Sequence, residues 1–87
     1  MTTIWKYPIE VTGYQQVEMP IKSKVLSVQI QHERPCIWVQ VNPDETDTCQ
    51  RAVYTKGTGH PIIGIIGNFV GTYQLENGSL VFHVFCI

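Results

Sequence analysis

Over residues 24–31, and again over 36–42, aliphatic side chains recur at every second position. Leu26, Val28 and Ile30 share one parity against Ser27, Gln29 and Gln31, while Ile37, Val39 and Val41 stand against Cys36, Trp38 and Gln40. A period of two belongs to a β-strand with one buried face, because successive side chains point to opposite sides. The connection His32-Glu33-Arg34-Pro35 is short enough to join the two segments as an antiparallel hairpin. No segment carries the sustained 3.6-residue period that an amphipathic helix needs. That combination restricts the chain to all-β architectures.

Interruptions mark the other strands. Residues 3–11 alternate at first, Ile4 and Lys6 against Trp5 and Tyr7, until Pro8. Proline has no N–H to give to a ladder, so this strand is an edge or breaks in two. A short strand over 16–19 ends before Pro20, and 49–56 is a further β candidate after the acidic, polar loop 42–48. Residues 62–66 read either as a strand or as an apolar loop, since Gly64 interrupts the run and Gly67 stops it. Segments 68–75 and 79–87 flank Glu76-Asn77-Gly78, and Asn-Gly is the strongest short hairpin signal. In the last of them Leu80, Phe82, Val84 and Cys86 share one face, with Val81, His83, Phe85 and Ile87 on the other. A strand apolar on both faces lies in the middle of a sheet or packs on a second subunit. About seven short, mainly antiparallel strands describe a compact β-sandwich or open barrel, built as a single domain over residues 1–87.

A chain of 87 residues has room for one core. It buries only about 60–65% of the surface that its unfolded form exposes, and natural proteins of this size often add disulfides, a metal or a partner subunit. The formal charge is −1, and Lys6, Lys22, Lys24, Arg34, Arg51 and Lys56 are scattered. Nucleic-acid binding rests on clustered phosphate contacts, so no DNA or RNA partner is expected. A small anion needs less, since two or three basic groups converging from separate strands suffice. Cys36, Cys49 and Cys86 are odd in number and lack CxxC spacing, which suits reduced thiols and a cytoplasmic location. The first residues lack the basic start and apolar stretch of a signal peptide, and the run at 62–66 is far too short to span a bilayer. No membrane partner is expected.

His32, His60 and His83 do not have the spacing of a zinc site, and no metal or other cofactor is expected. No local motif joins a nucleophile to a base and an orienting group, and Asp44, Glu45 and Asp47 share one polar loop. The reading is of a protein that is not an enzyme, with no catalytic residues. The turn Gly57-Thr58-Gly59-His60-Pro61 stands out, because its imidazole and the N–H groups of Thr58 and Gly59 can meet an anion. It lacks the Gly-Lys-Ser/Thr ending of a P-loop. Trp5 and Tyr7 on one strand face, and Trp38 on the less apolar side of another, suit base stacking or an oligomer interface.

Five segments together carry a family resemblance. They are Thr3-Ile4-Trp5-Lys6-Tyr7-Pro8-Ile9, the stretch from Met19-Pro20 to Lys24-Val25-Leu26-Ser27-Val28-Gln29, Pro35-Cys36-Ile37-Trp38, the Gly57–Pro61 turn, and Leu80-Val81-Phe82-His83-Val84-Phe85. In these the chain resembles a family of small uncharacterised proteins found in bacteriophages and bacterial genomes. The likeness runs over nearly the whole chain, leaves 44–50 unmatched, and brings no activity with it. What it implies is a setting. Small non-enzymatic phage proteins often act against host defence, by binding a defence protein or by sequestering a nucleotide-derived immune signal. Because sequestering proteins of that kind tend to be compact and oligomeric, the expectation is a small homo-oligomeric binding protein, in the host cytoplasm if phage-encoded, that captures a cyclic-nucleotide or ADP-ribose-like molecule without altering it. In that reading Trp5, Tyr7 or Trp38 stacks on a base, while Arg51, Lys56 and His60, with the amides of Thr58 and Gly59, hold phosphate or ribose. The alternative is a protein–protein inhibitor or structural module that docks on a host protein through a strand edge and an aromatic patch.

Overall fold

The computed structural model describes residues 1–87 and contains seven strands. In chain order they are β1 (Thr3–Pro8), β2 (Tyr14–Pro20), β3 (Lys24–Gln31), β4 (Arg34–Val41), β5 (Thr48–Gly57), β6 (Asn68–Leu75) and β7 (Leu80–Cys86). A 3₁₀ turn at Glu76–Gly78 joins β6 to β7. The strands form two sheets, β1-β4-β3 and β2-β5-β7-β6, in which every pair is antiparallel. Of the two all-β forms read from the sequence, a sandwich or an open barrel, two separate antiparallel sheets form, and no barrel closes. The strand apolar on both faces, β7, lies between β5 and β6.

Cross-strand register shows which side of each strand is buried. Ile37, Val39 and Val41 of β4 face inward, and so do Val53 of β5 and Val84 of β7, all at 1% exposure or less. Paired residues point to the same side of a sheet, so Val25 and Val28 join Val39 and Ile37, while Cys86 joins Val53. Ile9, Met19 and Tyr73 complete this core. β3 departs from strict alternation because a bulge falls between Val25 and Ser27. The extra residue, Leu26, is displaced toward solvent, and inward parity passes from Val25 to Val28. The β3–β4 turn is also tighter than a four-residue connection. Only His32 and Glu33 lie outside the pairing, both at positive φ (51° and 66°), as a two-residue hairpin of the I′ kind demands. Pro35 thereby becomes part of β4, opposite Ile30.

The two sheets come together along β3 and β6. At Gly71 they approach so closely that a Cβ atom would lie 2.9 Å from Val28 Cγ1. Any side chain at 71 pushes β6 away from β3. Two hydroxyls on the core side, Thr55 Oγ1 and Tyr73 Oη, are buried with no hydrogen-bond partner in the chain. Burial raises the Tyr73 hydroxyl above its usual pKa.

An unsatisfied buried hydroxyl costs about 1–3 kcal/mol, and valine has the shape of threonine without that group. Thr55→Val should therefore stabilise the fold by about 1 kcal/mol, read as a rise of about 4–8 °C in Tm for a domain of this size. Gly71→Val should lower Tm under the same conditions, and equal melting of the two variants would contradict this account of the core.

Candidate functional site

Burying the aliphatic face of each strand leaves the other face to solvent. On the four-stranded sheet that outer face carries one aromatic residue per strand in a single row: Tyr14 (β2), Tyr54 (β5), Phe85 (β7) and Phe69 (β6). Tyr14 and Tyr54 have ring centroids 5.1 Å apart, and Phe69 meets Phe85 edge-on at 5.5 Å. Such offset and edge contacts are the favoured geometries of aromatic pairs. The outer members, Tyr14 and Phe69, are exposed, and the central pair is half-buried.

A second row runs parallel to the first, two residues along β5 and β7 and three along β6, where a bulge adds one residue, and so about 7 Å away. It consists of Lys56 (β5), His83 (β7) and Thr72 (β6). Both ring nitrogens of His83 are engaged, Nε2 with Thr58 Oγ1 at 2.7 Å and Nδ1 with Thr72 Oγ1 at 2.9 Å. Neutral imidazole has one donor and one acceptor nitrogen, so one threonine accepts a hydrogen bond from the ring while the other donates to it. The clamp fixes the ring's orientation. A flat π surface thus lies beside a cation, an oriented imidazole and two hydroxyls.

The residues singled out from the sequence divide among several places. Lys56 and Thr58 belong to the outer face just described. Gly59 and His60 lie at its end, where the His60 N–H donates to the Gly57 carbonyl at 3.1 Å and Gly59 takes φ +87°. This is a type II turn, which needs positive φ at its third residue. The His60 ring sits over Gly57, filling the place of a side chain that would point to the core side, so it faces away from Lys56. The Thr58 N–H donates to the Val81 carbonyl at 3.2 Å and is not free for an anion. The His60 turn borders a cleft of about 190 Å³ with Ser79, Leu80 and Phe82, smaller than the ~300–1,000 Å³ usual for small-molecule sites.

Trp5 and Tyr7 pair with Val39 and Ile37, which places them on the core side of the three-stranded sheet. Tyr7 packs against the core, and burial raises its hydroxyl pKa. Trp38 pairs with Lys6 and lies on the opposite face. The three aromatics therefore do not share a surface. Arg51 is separate again, at the core-side edge of β5. It donates through Nε to the Ile87 carbonyl at 2.6 Å and through Nη1 to the Ser23 carbonyl at 2.8 Å. These bonds tie the end of β7 and the β2–β3 turn to β5. With Lys24 and Phe69, Arg51 also lines a cleft of about 320 Å³.

Tyr14, Tyr54, Phe69, Phe85, Thr72 and His83 were not among the candidates. Tyr14, Tyr54, Phe85 and His83 have outward parity on their own strands, and that much can be read from the sequence; Phe69 and Thr72 differ in parity and both face outward only because of a bulge between Phe69 and Gly71. Their alignment depends on β7 lying between β5 and β6, which sequence spacing does not give. No group of three or more His, Cys, Asp or Glu side chains is placed to hold a metal. Cys36, Cys49 and Cys86 are all free thiols. Burial pushes the Cys86 thiol above its usual pKa, against the pull of the Arg51 charge. No helix is long and apolar enough to cross a membrane.

The contacts of Arg51 separate a holding role from a binding one. Arg51→Ala leaves two carbonyls without their donor and should cost about 1–2 kcal/mol of stability. Lys56→Ala, on the solvent side, should change stability by less than about 0.5 kcal/mol. Chemical denaturation of both variants checks the difference.

No curated protein and no solved structure matches the chain. Over residues 1–87 it does match a family described as "Domain of unknown function (DUF7352)". Because that match spans residues 1–87, this all-β sandwich belongs to the DUF7352 family.

Proposed function

We propose that the chain is a non-catalytic binding protein that holds a nucleotide-derived molecule on the outer face of the β2-β5-β7-β6 sheet. The observation that carries the reading is the pair of parallel rows on that face. Tyr14, Tyr54, Phe85 and Phe69 offer π surface, and Lys56, His83 and Thr72 lie about 7 Å along the strands. This offset is comparable with the reach from a base across its ribose to a phosphate. A base on the aromatic row would bring its phosphate or ribose to Lys56 and to the hydroxyls of Thr58 and Thr72. Stacking of a base on an aromatic side chain contributes about 1–3 kcal/mol and tolerates any base. In the phage-like setting implied by the sequence resemblance, the ligand would be an immune signal of the cyclic-nucleotide or ADP-ribose kind, bound and returned unaltered.

One observation favours the second reading, a protein-docking module. The four main clefts of the surface are lined by other residues, and of the aromatic row only Phe69 reaches one. A flat face suits a protein partner as well as a stacked base. The two readings separate in a lysate pull-down, where a stoichiometric protein partner supports docking.

Thermal shift against a panel of cyclic and linear nucleotides and ADP-ribose derivatives tests the leading reading. A ligand at a hundredfold excess over its Kd adds about 2.7 kcal/mol of stability, which is about 10–20 °C in Tm for a domain this small. Phe69→Thr and Lys56→Gln should each reduce the shift, Arg51→Lys should not, and the ligand should be recovered chemically intact. A flat panel, or a ligand changed on recovery, refutes sequestration.

A further inference from the structure

Strands β5 and β6 both pair with β7 and so run parallel to each other, with β7 between them. Residues 58–67 must therefore carry the chain from the Gly57–Phe82 end of the sheet to the Asn68–Cys86 end. From Pro61 to Gly67 no backbone group makes a backbone hydrogen bond within the chain. Ile62, Ile63 and Ile65 are exposed, the last two at 81% and 85%, while Ile66 turns inward past a kink at Gly64. Single exposed isoleucines are ordinary, but three within four residues of a loop form a contiguous apolar patch.

We propose that this crossover is the docking surface for a second copy of the same chain. Charge selects that occupant. From Gly57 to Leu75 the sequence has no Asp, Glu, Lys or Arg. The other sheet edges are guarded: β1 by Lys6 and Pro8, β2 by Glu18 and Pro20, and β3 by Lys24 and its bulge. A partner with charges would have to desolvate them against crossover residues that carry no counter-charge of their own. An identical neutral surface brings no such penalty, and a two-fold contact lets the free N–H and C=O groups of one crossover meet those of the other. Area agrees in scale. The three isoleucines with Phe69 offer on the order of 400 Å² of apolar surface, about half of the ~800 Å² that each partner of a stable complex buries. The remainder is left for a polar rim.

The crossover begins at Thr58, which holds His83, and ends two residues before Phe69. A second copy seated there would border the flat outer face and give it a wall. The self-association stands on the crossover and the adjoining Phe69 and does not require the nucleotide reading.

Sedimentation velocity across the micromolar range tests it on the full chain. The native protein should sediment as a dimer. Ile63→Asp with Ile65→Asp should give a monomer with unchanged circular dichroism, and Ile4→Asp, on the other sheet, should remain dimeric. Amide hydrogen exchange gives a readout that needs no variant: the amides of residues 62–67 should gain protection as protein concentration rises. A native chain that stays monomeric at high micromolar concentration, or amides whose exchange ignores concentration, overturns the proposal. So does a monomer that instead retains a different protein from a lysate. Ligand-induced thermal shift is measured separately, so failure of one reading leaves the other standing.

Discussion

The core forms where the inward faces of β4, β5 and β7 meet, and burying those faces determines the surface. Val39, Val53 and Val84 are fully buried. Side chains alternate along a strand, so burying Val53 and Thr55 sends Tyr54 and Lys56 outward, and burying Val84 and Cys86 sends His83 and Phe85 outward. The candidate binding face is thus the complement of the core. It cannot be moved without a one-residue slip that would expose the valines. The close approach of β3 to β6 at Gly71 brings the sheets together on one side and fixes their relative position.

That dependence explains what could be read in advance. The bounds of β3 and β6 coincide with the alternating segment 24–31 and with the run leading to Asn77-Gly78, because pattern and turn chemistry are local properties. The assignment of faces on β7 is local too, and it holds. Leu26 was grouped with Val28 and Ile30, but a bulge at that point breaks the parity, and nothing in the residue types marks it. The residues 62–66, open to two readings, form an apolar loop, since Gly64 takes a positive φ and no neighbouring strand pairs with them.

Sites need a further level of information. Trp5, Tyr7 and Trp38 were each read with the correct parity on their own strands, yet the β1–β4 register places the first two on the core side and the third opposite. Parity within a strand says which residues share a face. Only register says which faces of different strands coincide. The same gap hid the aromatic row, whose most distant members, Tyr14 and Phe85, are 71 positions apart in sequence (85 − 14) and which is joined through three strand pairs. Arg51 shows the opposite case: a cation that suits an anion on composition has two of its nitrogens committed to main-chain carbonyls.

A sandwich with 16 buried residues has little stability to spare, and exposed aromatic and aliphatic groups do not add to it. On physical grounds such groups would be exchanged for polar ones if stability alone were at stake. Some of them, such as Ile4, Trp5, Leu26 and Leu80, are scattered, but Tyr14 and Phe69 on the outer face of the larger sheet adjoin Ile62, Ile63 and Ile65 on the crossover that begins and ends beside it. Within the face Thr58, His83 and Thr72 are already oriented by their clamp, so these three have little side-chain entropy left to lose when something binds. The crossover is the reverse, with open backbone groups and unpaired isoleucines that gain most from a partner able to match both. A rigid face beside an unsatisfied neutral segment is the arrangement in which a second subunit can complete a site that one chain leaves flat.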